Sequence, residues 1–353
     1  MQKSKNILVC PLDWGIGHAS RLIPIITEFI KNNNEVIIAG SGKSLLLLKT
    51  TFPKLRTISI EGYNIKYSKT IPLSLKMIFQ APKILIKISK EHKQLEKIIK
   101  EQNIDIVVSD NRFGLWSKMV KSIYITHQIM IKMPGILKFL EYPIYRFHKK
   151  TIKKYDECWI PDIEQNPNIA GDLTRKFPLP ENAKCIGILS RFKKDKISDI
   201  KKKYEILIIL SGPEPQRTIF ENILIEQISK TDYKTLLVRG LNTSKLSVPD
   251  NIDVVSHLNT NDMKDAILSS DYIISRSGYS TIMDLIVLEK NAIIVPTPGQ
   301  TEQEYLAKYY KDKKIFYSVK QKDFCISSAL KEVEQYNNKF EISETKLQNI
   351  FNH

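Results

Sequence analysis

DWGIGHAS, residues 13–20, sets two glycines and a histidine directly after a short β-branched run, NILVCPL (6–12). Glycines such as Gly15 and Gly17 allow a sharp turn and close approach of backbone to a ligand. His18 then falls at the start of an apolar helical pattern that includes RLIPIITEFIKN (21–32). Helix starts present outward N–H groups, and imidazole titrates near neutral pH, so His18 fits a general base. A plain hydrogen bond to the helix start is the competing reading. SDNRFG (109–114) follows another apolar run and puts Asp110 at its carboxyl end. A carboxylate there can orient an imidazole and stabilise its charge. Asp13, on the loop of His18, is a second candidate base.

These residues need elements to hold them. β-Branched runs at 6–12, 35–40, 55–60, 104–110, 122–128, 157–162 and 184–189 read as strands. Helical patterns fall at 21–32, near 43–50 and at 82–102, with a short helix expected between 110 and 122. After a charged stretch, SRFKKDKISDIKKKYE (190–205), the alternation restarts. Strands are expected at 205–212, 234–240, 251–257, 271–278 and 291–299, and helices at 215–230, 261–270, 281–290 and 300–314. Such βαβα alternation implies parallel sheets covered on both faces. The expected fold is α/β, with two doubly wound Rossmann-like domains, 1–190 and 191–353, facing each other across a cleft. The last helix is a candidate to pack back on the first domain. Ligands of such folds sit at the carboxyl ends of the strands.

Composition narrows the function. The 353 residues carry 54 basic and 38 acidic side chains, a net charge of +16, and only nine of the basic ones are Arg. Nucleic-acid surfaces more often cluster Arg with aromatics, so no nucleic-acid partner is expected. The charge suits diphosphates or anionic lipid equally well. Cys10, Cys158, Cys185 and Cys325 are scattered, which argues against a disulfide framework or zinc site. No signal peptide or membrane-length apolar run is present, so a cytoplasmic protein is expected, at most touching the inner face of the plasma membrane. IPLSLKMIFQAPKILIKISK (71–90) and GILKFLEYPIYRFHKKTIKK (135–154) mix apolar, aromatic and Lys residues, as helices at an anionic interface do. Helices with a core-facing stripe and a solvated Lys face would look the same. His92, His148 and His353 read as surface residues. GSGKS (40–44) lacks the first glycine of a phosphate loop, because Ile37 stands there. DWGIGHAS likewise breaks the dinucleotide fingerprint, with Ser20 at the third glycine position. No D-x-D and no metal-ligand spacing occurs, so no metal and no cofactor are expected.

Three further turns complete the candidate site: SGPEPQR (211–217), SRSGYST (275–281) and PTPGQTEQEY (296–305). SRSGYSTIMDLIVLEKNAIIVPTPGQTEQEYLA (275–307) resembles the glycosyltransferases of the GT-B fold, and family 28 in particular, in a divergent branch. The match lies in R-S-G, a small hydroxyl residue, an acid, a strand ending in Val-Pro and a Gln-containing helix start. The G-x-G-H turn is similar too. The resemblance implies an inverting, metal-independent transfer from a UDP-sugar, with an N-acetylhexosamine as donor sugar. The acceptor would be a hydroxyl on a glycan or lipid-linked, cell-envelope molecule. It implies Arg191 at the diphosphate, Asp284 at the ribose hydroxyls, backbone at Leu258 against the base, and Gln303 and Glu304 at the sugar hydroxyls. Glu304 stands where the family usually has a second glutamine. Asp13, Gly15, Gly17, His127 and Gln128 become acceptor-side candidates. Physical chemistry points the same way for the diphosphate, which needs N–H donors and positive charge. Ser211, Gly212, Ser277, Gly278 and Ser280 offer backbone and hydroxyls, and Arg276 offers charge. Simple caps at Ser277 and Ser280, a salt bridge at Arg276 and a surface acid at Asp284 are the bland alternatives. A sugar-nucleotide epimerase of the same fold and a non-catalytic sugar-nucleotide-binding subunit stand as rival functions.

Overall fold

The apolar runs of the first half close into one sheet from β1 (Asn6–Cys10), β2 (Glu35–Gly40), β3 (Arg56–Ser59), β4 (Ile106–Asp110), β5 (Lys121–Ile125), β6 (Glu157–Ile160) and β7 (Ala183–Cys185). The order is β3-β2-β1-β4-β5-β6-β7 and every pair is parallel. Leu8, Val9, Ile38, Val107 and Val108 are buried, as expected where both sheet faces are covered. The principal helices here are α1 (Ile16–Lys31), α2 (Gly42–Thr51), α3 (Ala81–Gln102), α4 (Glu141–Ile152) and the short α5 (Asp172–Arg175).

In the second half, β8 (Tyr204–Ile209), β9 (Thr235–Val238), β10 (Ile252–Val255), β11 (Ser270–Ser275), β12 (Ile293–Ile294) and β13 (Tyr317–Ser318) form a parallel sheet in the order β10-β9-β8-β11-β12-β13. α6 (Gln216–Ile228), α7 (Thr260–Leu268), α8 (Tyr279–Val287), α9 (Thr301–Asp312) and α10 (Ile326–Val333) are its helices. This is a computed structural model, and it describes residues 4–63, 80–193, 201–241, 246–338 and 340. The chain divides into two compact units, the first reaching Arg191 and the second opening at Phe192. The proposed last helix, His353 and residues 71–79 of the first Lys-rich segment lie outside the described residues.

Both sheets reverse direction once, between β1 and β4 and between β8 and β11. At such a switch point the outgoing loops diverge and leave a crevice over the strand ends. In each unit the first strand leaves through a glycine in the left-handed half of backbone space, Gly15 at φ 99° and Gly212 at φ 103°.

Several expectations need correction. No helix forms between β4 and β5. There, Asn111 is left-handed at φ 52°, and the backbone N–H groups of Phe113 and Gly114 donate to Tyr63 Oη (2.7 Å) and Glu91 Oε2 (2.9 Å). Gly114 also packs so tightly that a Cβ there would lie 2.5 Å from the Ile88 carbonyl oxygen. Gly17 lies inside α1 rather than in the turn, so Gly15 alone makes the turn. His148 is buried, bonded through Nε2 to Tyr124 Oη (3.1 Å), and burial pushes it down to about 4. His92 is half-buried and stacks on Trp116 at 4.3 Å. The expected strand at 291–299 is only two residues long, and neither β13 nor α10 was legible beforehand.

Candidate functional site

α1 begins beside the end of β1, and β4 lies next to β1 with Cys10 opposite Ser109. That pairing brings the third residue of α1 to the last residue of β4. His18 Nδ1 lies 2.8 Å from Asp110 Oδ1, with 14% of the histidine side chain exposed and none of the aspartate. Arg21, one helical turn beyond His18, points the same way. Its Nε donates to Asp110 Oδ2 at 2.6 Å, its Nη2 donates to Oδ1, and its Nη1 lies 2.7 Å from His127 Nδ1. Two histidines, one aspartate and one buried arginine therefore form a single cluster over the switch point. Among the described residues, His18 Nε2 makes no hydrogen bond.

Asp110 is wholly buried, which alone would push its carboxyl up; Arg21 and His18 bring it down to about 2. An unfolded aspartate titrates at about 4. The folded state thus binds fewer protons, and the stabilisation is complete above that unfolded value. It disappears as pH falls towards about 2. This one group contributes about 2 kcal/mol of acid-labile stability. Asp110→Asn is expected to flatten the acid side of the stability curve, measured by urea unfolding across that range.

The other first-unit candidates divide. Asp13 turns towards α2: Ser41 Oγ donates to its Oδ2 at 3.3 Å, and a Cβ on Gly42 (φ 57°) would lie 2.2 Å from the same oxygen. Ser41 occupies the cap position of α2, yet its hydroxyl serves Asp13 instead of a helix N–H. Ser44 Oγ donates to the carbonyls of Leu12 and Gly15, both at 3.1 Å, so GSGKS braces the 12–15 loop. Gln128 is half-buried beside His127, its Nε2 3.5 Å from the ring Nε2. Arg191 is half-buried at the end of the first unit.

In the second unit, Ser211 and Gly212 follow β8, and Ser277 and Gly278 follow β11, on the two sides of the switch. Gly278 caps α8, Ser280 is its second residue and Asp284 its sixth, nearly buried. Leu258 is half-buried just before Asn259, whose Oδ1 caps α7. Arg276 faces inward. It donates to the carbonyls of Gln216 (2.9 Å), Val295 and Pro296 (3.3 Å each) and to Gln321 Oε1 (2.7 Å). Its guanidinium stacks over Phe220 at 4.4 Å, and burial brings it down to about 9. It ties the loops together from beneath, so its charge is spent on the protein. Ser277 Oγ donates to the Gln303 carbonyl at 2.8 Å. Gln303 Oε1 accepts from Thr297 N and Glu304 Oε1 from Gly299 N, both at 2.9 Å, so these side chains shape the 297–300 loop. Gln303 Nε2 also donates to Gln300 Oε1 at 2.5 Å, whereas Glu304 carries a second oxygen besides the one so used.

Buried charges at three places escaped the sequence reading. Arg21 is one. Arg112 is another, paired through Nε to Glu91 Oε1 at 2.5 Å beneath the SDNRFG loop. The third group sits under SGPEPQR, where Arg217 and Arg239 share Glu221 (3.1 and 2.7 Å). Their common signal was a charge within a turn or an otherwise apolar helix face. Among the described residues, no three His, Cys, Asp or Glu side chains cluster to hold a metal ion.

Two doubly wound parallel units are the architecture of the GT-B fold, which the chain shares with solved glycosyltransferases. Residues 206–351 match the glycosyltransferase family 28 C-terminal domain. An uncharacterized glycosyltransferase of Methanosarcina mazei is 24% identical over 85% of this chain and 81% of its own length. A UDP-N-acetylglucosamine–N-acetylmuramyl-(pentapeptide) pyrophosphoryl-undecaprenol N-acetylglucosamine transferase of Sulfurihydrogenibium is 24% identical over 58% of this chain and 60% of that protein. In fold, the chain is similar to the glycosyltransferase SnogD of Streptomyces nogalater (TM-score 0.63, 11% identity, 94% of this chain and 91% of that one). It is similar as well to a putative UDP-N-acetylglucosamine 2-epimerase of Listeria monocytogenes (TM-score 0.62, 12% identity, 98% and 92%).

Proposed function

We propose that the chain transfers an N-acetylhexosamine from its UDP-sugar to an acceptor hydroxyl, inverting the anomeric carbon and using no bound metal. The observation that carries this reading is the His18–Asp110 pair at the switch point of the first sheet. His18 Nε2 takes the proton of the acceptor hydroxyl. The freed oxygen bonds to C1 of the sugar, and the C1–O bond to the diphosphate breaks, its electron pair leaving with UDP. Asp110 orients the ring and balances the imidazolium. Gly15, Gly17, His127 and Gln128 face the acceptor, and Asp13 braces the Gly15 loop against α2 through Ser41. On the donor side, Ser211, Gly212, Ser277, Gly278 and Ser280 take the diphosphate with Arg191. Asp284 takes the ribose, the Leu258 backbone the base, and the side chains of Gln303 and Glu304 the sugar.

A glycan or lipid-linked cell-envelope acceptor suits two features. The Sulfurihydrogenibium relative is named for transfer to a pyrophosphoryl-undecaprenol. α4 and the turn before it expose Phe139, Tyr142 and Phe147 alongside Lys138, Arg146 and Lys150, and α3 exposes Leu85 and Ile86 beside Lys83 and Lys90. Apolar and aromatic groups among cations suit the anionic inner face of a cytoplasmic membrane. No helix among the described residues is long and apolar enough to cross one.

A thermal-shift series across nucleotide sugars tests the donor. UDP-N-acetylhexosamine at a hundredfold excess over its dissociation constant stabilises the fold by about 2.7 kcal/mol. Release of UDP that requires an added acceptor, and persists with a chelator present, supports transfer. A protein whose Tm ignores every UDP-sugar, or that frees UDP without an acceptor, overturns the proposal.

A further inference from the structure

Arg21 is buried in the middle of the first-unit cluster, with its guanidinium against the side chains of Asp110, His127 and His18. We propose that Arg21 is a positioning residue that fixes two imidazoles with opposite polarity: His18 with its proton on Nδ1 and an open Nε2, and His127 with an acceptor Nδ1 and its proton on Nε2. This rests on the reading of His18 as the base.

The derivation uses only donor and acceptor chemistry. A guanidinium donates and never accepts. His127 Nδ1, 2.7 Å from Arg21 Nη1, must therefore be the unprotonated nitrogen, which leaves the ring proton on Nε2. The neighbouring Gln128 amide, 3.5 Å away, can meet that proton with its oxygen after a half-turn about its last bond. For His18 two partners compete at one nitrogen. Asp110 Oδ1 is 2.8 Å from Nδ1 and Arg21 Nη2 is 3.0 Å from it. A carboxylate held ionised can only accept, so the closer contact requires a proton on Nδ1. Arg21 then directs its Nη2 hydrogens to Asp110, which it grips through both oxygens. The consequence for chemistry is specific. A histidine with its proton on Nε2 has no lone pair to offer an acceptor hydroxyl there, and Arg21 keeps His18 out of that form by locking Asp110.

The groups facing this cluster are Asp110 from β4, Arg21 from α1 and His127 after β5; Asp13 turns away to Ser41. Without the arginine, burial would push the Asp110 carboxyl up, and the dyad would fail at mildly acid pH.

Long-range proton–nitrogen spectra of the full chain with nitrogen-15 histidine read both tautomers without any substrate. His18→Gln and His127→Gln assign the signals. The expected result is Nδ1–H for His18 and Nε2–H for His127. Arg21→Lys keeps one charge but loses the fork. It lowers kcat by about 10–10²-fold with the donor KM unchanged, and moves the acid limb of kcat/KM up by about one pH unit. A merely structural arginine would leave that limb in place. Nδ1–H at His127, or an unmoved limb in a folded Arg21→Lys protein, overturns the inference. Full turnover by His18→Gln defeats the base assignment instead, and the tautomer spectra tell the two failures apart.

Discussion

Alanine at position 18 lowers kcat by about 10²–10⁴-fold and leaves affinity for the nucleotide sugar unchanged. The loss follows from what His18 contributes: a nitrogen that makes no hydrogen bond among the described residues, on a ring already oriented by a buried carboxylate. The unchanged affinity follows from where the donor candidates lie. Most follow β8 and β11 in the second unit, and His18 belongs to the first. Asp110 keeps its pairing to Arg21 without the ring, so the fold survives. Initial rates of acceptor-dependent UDP release, set beside calorimetric titration of the donor, separate the two quantities. A fully active His18→Ala protein would leave only a binding role for the turn. Loss of donor affinity without loss of rate at saturation would move the histidine to the donor side.

Much of this arrangement was legible because it depends on local pattern. Short β-branched runs between helical stretches specified parallel strands, and glycine after β1 and β8 marked turns that require positive φ. His18 and Asp110 were individually legible for the same reason, each standing at or just past the carboxyl end of an apolar run. What pattern cannot supply is the partner of a buried charge. Arg21 lies in an apolar helix, and its carboxylate is 89 positions away. Local sequence there reads as helix with one stray cation. Arg276 failed in the opposite sense. An arginine in a serine–glycine turn offers charge to a phosphate, but burial and four inward hydrogen bonds commit it to the loops. The missing helix after β4 has the same origin. Its N–H groups are claimed by Tyr63 and Glu91, residues 50 and 23 positions earlier, which no local propensity records.

Glu91 is where that long-range wiring has its largest energetic consequence. Its Oε1 holds Arg112, and its Oε2 accepts from Tyr63 Oη at 2.8 Å and from Gly114 N. Burial works against the Arg112 charge, and Glu91 more than offsets it, so the guanidinium is held above its ordinary range. Glu91→Ala leaves that cation buried and unpaired, and is expected to cost about 3–5 kcal/mol in urea unfolding. Arg112→Met in the same chain restores much of the loss, because the penalty comes from the orphaned charge more than from the absent attraction. If the double variant is as unstable as Glu91→Ala alone, the hydrogen bonds to Tyr63 and Gly114 carry the energy and the ion pair does not. Either way the damage reaches the chemistry. The Arg112 carbonyl receives Ser109 Oγ at 2.7 Å and Tyr155 Oη at 2.6 Å, and Ser109 adjoins Asp110. Loosening the SDNRFG loop therefore disturbs the carboxylate that His18 depends on, and activity in Glu91→Ala falls further than the folded fraction does.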